Sequence, residues 1–179
     1  METFKEHLQR RGLTPEIRCW VDHETEIVRF PLWAFGGKLI GYSRYNWAAP
    51  KLRSNEIGGR YINKVNPAYK TTAFWGHEYF LKSPTIFYVE GVWDAVRVIQ
   101  AGYSSVALLT STPSKQLCAY LRLLNRGRRQ VVLCDNDEGG AGLKLAKAAD
   151  EFRVVPCGDM GDMTLKEAKE YLDEIIQNR

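Results

Sequence analysis

Carboxylates stand directly behind apolar runs at several places in this 179-residue chain. Glu90 follows Thr85-Ile86-Phe87-Tyr88-Val89, Asp135 and Asp137 follow Val131-Val132-Leu133-Cys134, and Asp159 and Asp162 lie just past Val154-Val155-Pro156-Cys157-Gly158. A single residue so placed would do no more than cap a helix or favour its dipole. Two at i and i+2 behind a buried strand are a poor choice for capping, and Glu90 repeats the placement. Like charges gathered in one place are costly unless a cation neutralises them, and an all-oxygen set selects a hard ion such as Mg²⁺ or Mn²⁺. Gly91, Gly139, Gly140 and Gly142 adjoin the acidic residues, as expected where backbone must approach a ligand or another strand closely.

The elements that must position these residues follow from the apolar pattern. After Ser83-Pro84, strands alternate with helical segments: a strand at 85–90, a helix at 93–102, a strand at 104–110, a helix at 113–127 and a strand at 129–135. A helix over 138–152, a short strand over 153–158 and a final amphipathic helix over 164–178 complete the series. Regular alternation with continuous apolar strands predicts a parallel sheet of about four strands covered on both faces. In such a sheet ligands bind beyond the carboxyl ends of the strands, where the acidic residues fall. Thr110-Ser111-Thr112, at the end of the second strand, suits phosphate binding or helix capping.

The first part of the chain reads differently. Residues 1–18 predict a short amphipathic helix ended by Gly12, and 26–80 predict short β-runs with a hairpin at Gly36-Gly37-Lys38. The basic charge is concentrated here. Residues 29–82 hold nine Lys or Arg against two Asp or Glu, whereas the whole chain carries only +4. Twelve of the 21 aromatic residues lie between Phe30 and Phe80. Phe30, Trp33, Phe35 and Trp47 read as core, while Tyr42, Tyr45 and Tyr61 alternate with Arg or Asn and read as base-stacking candidates. A further cluster, Arg126, Arg128 and Arg129, suits nucleic acid or a helix dipole.

Composition removes several classes. A hydrophobic content of 45% argues against a disordered chain, and no apolar run approaches the ~18 residues of a membrane span. The start lacks the apolar core of a secretory signal, so a soluble, cytoplasmic protein is expected, with no membrane partner. Cys19, Cys118, Cys134 and Cys157 and the three histidines have no zinc-ligand spacing, and the cysteines read as buried free thiols.

Val89-Glu90-Gly91-Val92-Trp93-Asp94 resembles the EGxxD motif of Toprim domains, and Asp135-Asn136-Asp137-Glu138-Gly139-Gly140 resembles their DxD motif. Pro156 to Asp162 is similar to the later acidic turn of DnaG-type and phage primases. Upstream, Arg29-Phe30-Pro31-Leu32 with Gly37-Lys38-Leu39-Ile40-Gly41-Tyr42-Ser43-Arg44 resembles the primase pattern RxxFPI…GxxIGFGGR. Arg60-Tyr61-Ile62-Asn63 and Phe74-Trp75-Gly76 resemble the segment that precedes the Toprim part in those enzymes, so the likeness covers roughly residues 27–165. Tyr42-Ser43-Arg44 departs from FGGR, and Arg60 replaces the more common lysine.

The resemblance implies an α/β protein: a basic, β-rich subdomain over 1–82 that binds nucleotide and nucleic acid, then a Toprim metal-binding catalytic domain over 83–179. It implies a primase core that makes short RNA primers on single-stranded DNA from ribonucleoside triphosphates with Mg²⁺ or Mn²⁺. Glu90, Asp135 and Asp137 become the principal metal ligands and catalytic residues, with Asp94, Asp159 and Asp162 as supporting or additional ones. Arg44, Lys51, Arg53, Arg60, Tyr61, Asn63 and Lys64 become the nucleotide and DNA contacts. Neither a zinc ribbon nor a helicase domain is visible, so a separate protein supplying one is an expected partner. A Toprim nuclease, a topoisomerase-like piece and a partner-dependent binding module are the alternatives.

Overall fold

The structure is a computed structural model and describes residues 2–52, 56–79, 83–137, 140 and 142–178. The backbone forms two compact units, Met1–Ala73 and Phe74–Arg179.

The first unit is an antiparallel sheet with one helix. Helix α1 (Phe4–Arg10) is opened by a capping box, in which Thr3 Oγ1 accepts from the Glu6 N–H and the Glu6 carboxylate accepts from the Thr3 N–H. It stops where expected, at the left-handed Gly12 (φ 89°), which turns the chain away. Strands β1 (Trp20–Asp22), β2 (Ile27–Ala34), β3 (Lys38–Asn46) and β4 (Tyr61–Val65) pair in sequence order. β1 is an addition to the elements expected from the sequence. The hairpin at Gly36-Gly37 forms as expected, with φ of 73° and 72° at positions that a side chain would strain. Pro31 is tolerated in β2 because β1 stops opposite Arg29, so a missing N–H on that side breaks no ladder bond. β3 and β4 approach so closely at Gly41 that a Cβ there would lie 1.9 Å from the Lys64 carbonyl oxygen.

Strand alternation gives this sheet two unlike faces. Val28, Phe30, Leu32, Ser43 and Tyr45 are buried on one of them. The His7 ring stacks between those of Tyr45 and Trp47, with centroids 5.8 and 5.2 Å away, and its Nε2 lies 2.7 Å from the Tyr45 hydroxyl. Phe4 stacks on Trp47 as well, so α1 is held to the sheet largely through aromatic rings.

The second unit is the expected four-stranded parallel sheet, in the order β6-β5-β7-β8, from β5 (Thr85–Val89), β6 (Ser104–Ala107), β7 (Arg129–Cys134) and β8 (Glu151–Val154). Helices α2 (Val92–Gln100), α3 (Lys115–Leu124) and α4 (Leu165–Gln177) accompany it. Every residue of β5 is buried, as a central parallel strand requires. Trp75 forms an antiparallel bridge to Ala107 through two 3.0 Å hydrogen bonds. Residues from Phe74 onward therefore pack with this unit, and the boundary in space precedes the change of texture at Ser83-Pro84. The helix expected over 138–152 is instead a 3₁₀ segment, Gly142–Ala148. Glycine is a poor helix former, and Gly140 is left-handed (φ 62°). β8 begins at Glu151, two residues before the strand expected at Arg153. Among the described residues no helix is long and apolar enough to cross a membrane.

Burial holds the His7 pKa below its ordinary value, with the nearby Glu2 carboxylate opposing the shift. The unfolded ring takes up a proton at a higher pH than the folded one, so this contribution is complete above the ordinary histidine range and is lost as pH falls through the folded value. Melting curves measured over a pH series should show stability declining on this acid limb, and His7→Gln should flatten it.

Candidate functional site

The strand order decides where the acidic residues meet. β5 has its successor β6 on one side and β7 on the other, so the chain reverses its winding between β5 and β7, the crevice where open parallel sheets bind ligands. Glu90 leaves β5 there, and Asp135 and Asp137 leave β7. Glu90 is half-buried, and its pKa is raised first by burial and then by the negative charge of Asp137. The two carboxylates thus sense each other across the crevice. Leu109, just past β6, donates its N–H to the Glu90 carbonyl (2.9 Å) from a left-handed conformation (φ 62°). A leucine there stores strain of about 1–3 kcal/mol beside the site.

The loop after β7 is braced on two sides. The Asn136 N–H donates to the Gly158 carbonyl (2.8 Å), and Asp137 Oδ2 accepts from the Gly142 N–H (2.9 Å). A Cβ on Gly142 would fall 2.5 Å from the Asp135 carbonyl oxygen, so only glycine lets this segment return against Asp135.

Asp94 and Asp159 are occupied by the backbone. Asp94, only 6% exposed, accepts from the Gly91 N–H with Oδ2 (3.0 Å) and from the Gly161 N–H with Oδ1 (2.8 Å). It joins the start of α2 to the acidic turn 160–162. Asp159 Oδ1 accepts from the Asp162 N–H (2.9 Å), and Asp162 is exposed. Both acidic residues of that turn therefore lie on a loop tied down by Asp94.

Among the described residues no three His, Cys, Asp or Glu side chains form a cluster able to hold a metal. The donor chemistry nevertheless suits a hard cation, because Mg²⁺ keeps several waters and is bound through one or two carboxylates plus substrate phosphates. A half-buried Glu90 repelled by Asp137 is the kind of pair such an ion would neutralise.

In the first unit the register separates the nominated residues. Tyr61 lies opposite Tyr45 and Asn63 opposite Ser43, on the face that carries the core. Tyr45 is buried against His7 and the Tyr61 ring packs 5.3 Å from it, so these two tyrosines belong to the packed face rather than to an open stacking platform. The other face carries a row, Trp20–Arg29–Arg44–Ile62, and beside it Pro31–Tyr42–Lys64. Trp20 is 50% exposed and Lys64 is exposed. Arg44 Nη2 donates to the Gly59 carbonyl (3.1 Å), while its buried Nε meets no protein acceptor. Arg60 Nε donates to the Ala49 carbonyl (3.0 Å), Lys51 is exposed, and Arg53 lies outside the described residues. Trp20 and Arg29 were not singled out from the sequence; the signal that places them beside Arg44 is strand pairing, which needs β1.

The first unit is thus a basic antiparallel sheet, and the second a parallel sheet with carboxylates at its switch point. No protein-family model matches the chain, and no curated protein matches it by sequence. The likeness lies in the fold. The DnaG catalytic core aligns with a TM-score of 0.66 at 19% identity, over 97% of this chain and 72% of that one. The RNA polymerase domain of Mycobacterium tuberculosis primase DnaG aligns at 0.62 and 20% identity, over 97% and 62%. The primase fragment of the bacteriophage T7 primase-helicase aligns at 0.57 and 18% identity, over 84% and 62%. The chain thus has the DnaG catalytic-core fold and spans less than two thirds of the latter two structures.

Two substitutions should separate charge from scaffolding. Folded Glu90 ionises above the usual carboxylate range, so its destabilising effect is absent at acid pH and grows as pH rises through the folded value. Glu90→Gln should therefore raise the metal-free melting temperature at neutral pH, with the gain fading on acidification. Asp94→Ala should lower it at every pH, by the equivalent of about 1–3 kcal/mol, because two backbone donors lose their acceptor.

Proposed function

We propose that this chain is the catalytic core of a DNA primase, joining ribonucleotides into short RNA on a single-stranded DNA template by divalent-metal-dependent nucleotidyl transfer. The observation that supports the reading is the placement of Glu90 after β5 and of Asp135 and Asp137 after β7, at the switch point of a DnaG-type fold, with the charge of Asp137 acting on Glu90. One of the similar structures is a DnaG primase catalytic domain bound to single-stranded DNA.

In this reading Glu90, Asp135 and Asp137 hold Mg²⁺ or Mn²⁺, which when bound supplies charge neutralisation at the α-phosphate and activates the attacking 3′-hydroxyl. No protein nucleophile is needed. Asp94 positions the turn bearing Asp159 and Asp162, which supports the site without supplying its principal ligands. The spare Nε of Arg44 and the ammonium groups of Lys51 and Lys64 take phosphates of template or triphosphate, with Arg53 assigned by resemblance alone. Trp20 and Tyr42 offer ring faces to bases, each with a basic neighbour in its own row. Tyr61 and Asn63 act on the other side of the sheet, as packing. The preceding basic sheet favours a primase over a Toprim nuclease or a topoisomerase-like piece. A helicase or zinc-ribbon protein is a fitting partner; a primase of Aquifex aeolicus with a zinc-binding domain is matched over 45% of its length.

The deciding experiment incubates the chain with labelled ribonucleotides, single-stranded DNA and Mg²⁺ or Mn²⁺, and scores both RNA products and template degradation. Asp135→Asn with Asp137→Asn should abolish RNA synthesis and metal-induced stabilisation while leaving the metal-free melting temperature unchanged or higher. Synthesis at the wild-type rate, or unfolding of the double variant, would assign the pair a structural role. Template cleavage without RNA would point to the nuclease.

Trp20→Ala should weaken binding of a short oligothymidine by about 1–3 kcal/mol, the usual worth of one base–aromatic stack, with little change in melting temperature. Fluorescence anisotropy reads the affinity. Unchanged affinity would remove Trp20 from the template path.

A further inference from the structure

We propose that the second unit carries a separate phosphate-binding cleft at the opposite edge of its sheet from Glu90 and Asp137. The cleft, of about 220 Å³, is lined by Arg122, Arg128, Arg129, Gln130, Asp150 and Glu151 at the starts of β7 and β8. Arg129 opens β7 and Asp135 follows its end. At about 3.3 Å per strand residue the two places are roughly 20 Å apart.

Most polar groups around the cleft are already engaged. Arg129 forms a two-pronged ion pair with Glu151 (2.9 and 2.6 Å) and gives Nη1 to the Ile175 carbonyl (2.8 Å), so it answers the end of α4. Arg153 reaches the same Glu151 oxygen at 2.8 Å. Gln130 accepts from the Tyr88 hydroxyl (2.9 Å) and donates to the Asn125 carbonyl (3.1 Å). Arg122 has only a 3.3 Å pair with the almost fully exposed Asp150 and a 3.4 Å contact to the Lys147 carbonyl. Arg128 differs from all of these. Its Nη1 is buried and meets no hydrogen-bond partner.

The charge is unbalanced in the same direction. Four guanidinium groups, Arg122, Arg128, Arg129 and Arg153, stand against two carboxylates. A buried guanidinium donor without a protein acceptor is costly, and an oxyanion would supply the missing acceptor. Two surplus positive charges and a forked donor suit a phosphate group better than a single carboxylate. A helix dipole accounts for Arg129 and not for Arg128, whose spare donor faces no helix carbonyl. The phosphate belongs either to a free nucleotide or to a nucleic-acid strand.

The test titrates the intact chain with inorganic phosphate, then ATP, then an oligothymidine, following the Arg128 Nε–H resonance by NMR and the oligonucleotide affinity by anisotropy. Phosphate should shift that resonance saturably, and Arg128→Gln should weaken phosphate binding about tenfold without lowering the melting temperature in phosphate-free buffer. Arg128→Lys should restore part of the affinity, because it keeps the charge and loses the fork. If the ligand is a strand, the dependence of log affinity on log salt for the oligothymidine should fall by about one unit in Arg128→Gln. If it is a nucleotide, ATP binding alone should suffer. Phosphate, ATP and oligothymidine binding all unchanged in Arg128→Gln would overturn the proposal, and Arg128→Lys serves the same comparison should the glutamine variant fail to fold. Asp135→Asn with Asp137→Asn should leave the Arg128 shift intact, which keeps this site independent of the primase reading.

Discussion

Mutual repulsion between Glu90 and Asp137 is the constraint around which the second unit is arranged. Glu90 is half-buried and faces the charge of Asp137, and its loss of hydration and that repulsion both favour its neutral form. Something stronger must hold them there. The fully buried β5, paired along its length with β6 and β7, supplies it. Burial of an apolar side chain contributes about 1.5–3 kcal/mol, so a few residues of this core outweigh one unfavourable carboxylate contact. The result is a crevice that sacrifices local stability for a fixed field of negative charge.

The first unit solves a different problem with the alternation of its strands. One face is closed by α1 through His7, Phe4 and the Trp47 and Tyr45 rings, which frees the opposite face from any need to be apolar. Arg29, Arg44, Tyr42 and Lys64 can then share that face. Arg44 and Arg60 also tether the segment between β3 and β4 through the carbonyls of Gly59 and Ala49. Their positive charge is therefore delivered in a fixed geometry, which lowers the conformational entropy lost on meeting a phosphate.

Much of this was legible in the amino-acid pattern. The apolar runs at 85–89 and 131–134, each followed by acid and glycine, declared a parallel sheet and the edge that carries the carboxylates. What stayed hidden depended on pairing. Tyr61, Ile62, Asn63 and Lys64 look like one functional string until β3 is set beside them, after which alternate residues part to opposite faces. Trp20 looks like an isolated aromatic until β1 puts it in line with Arg29 and Arg44. Gly142 signalled close approach correctly, yet glycine at 140 and 142 also worked against the helix expected there.

Asp94 shows why a motif's residues need not share one task. Gly91 has no side chain because a Cβ would sit 2.6 Å from Asp94 Oδ2, the oxygen that accepts the Gly91 N–H. The second oxygen reaches 67 residues along the chain to the Gly161 N–H, and the Gly158 carbonyl in turn receives the Asn136 N–H. The motif after β5, the pair after β7 and the turn after β8 are thereby joined by two hydrogen bonds, from the Gly161 N–H to Asp94 and from the Asn136 N–H to the Gly158 carbonyl. A carboxylate with both oxygens engaged by N–H groups has little to offer a cation, but it fixes the loops that carry the other acidic residues. Charge at Glu90 and Asp137 and geometry at Asp94 are separate requirements of the same crevice, and the glycines beside them are what allow both to be met within a few ångströms of backbone.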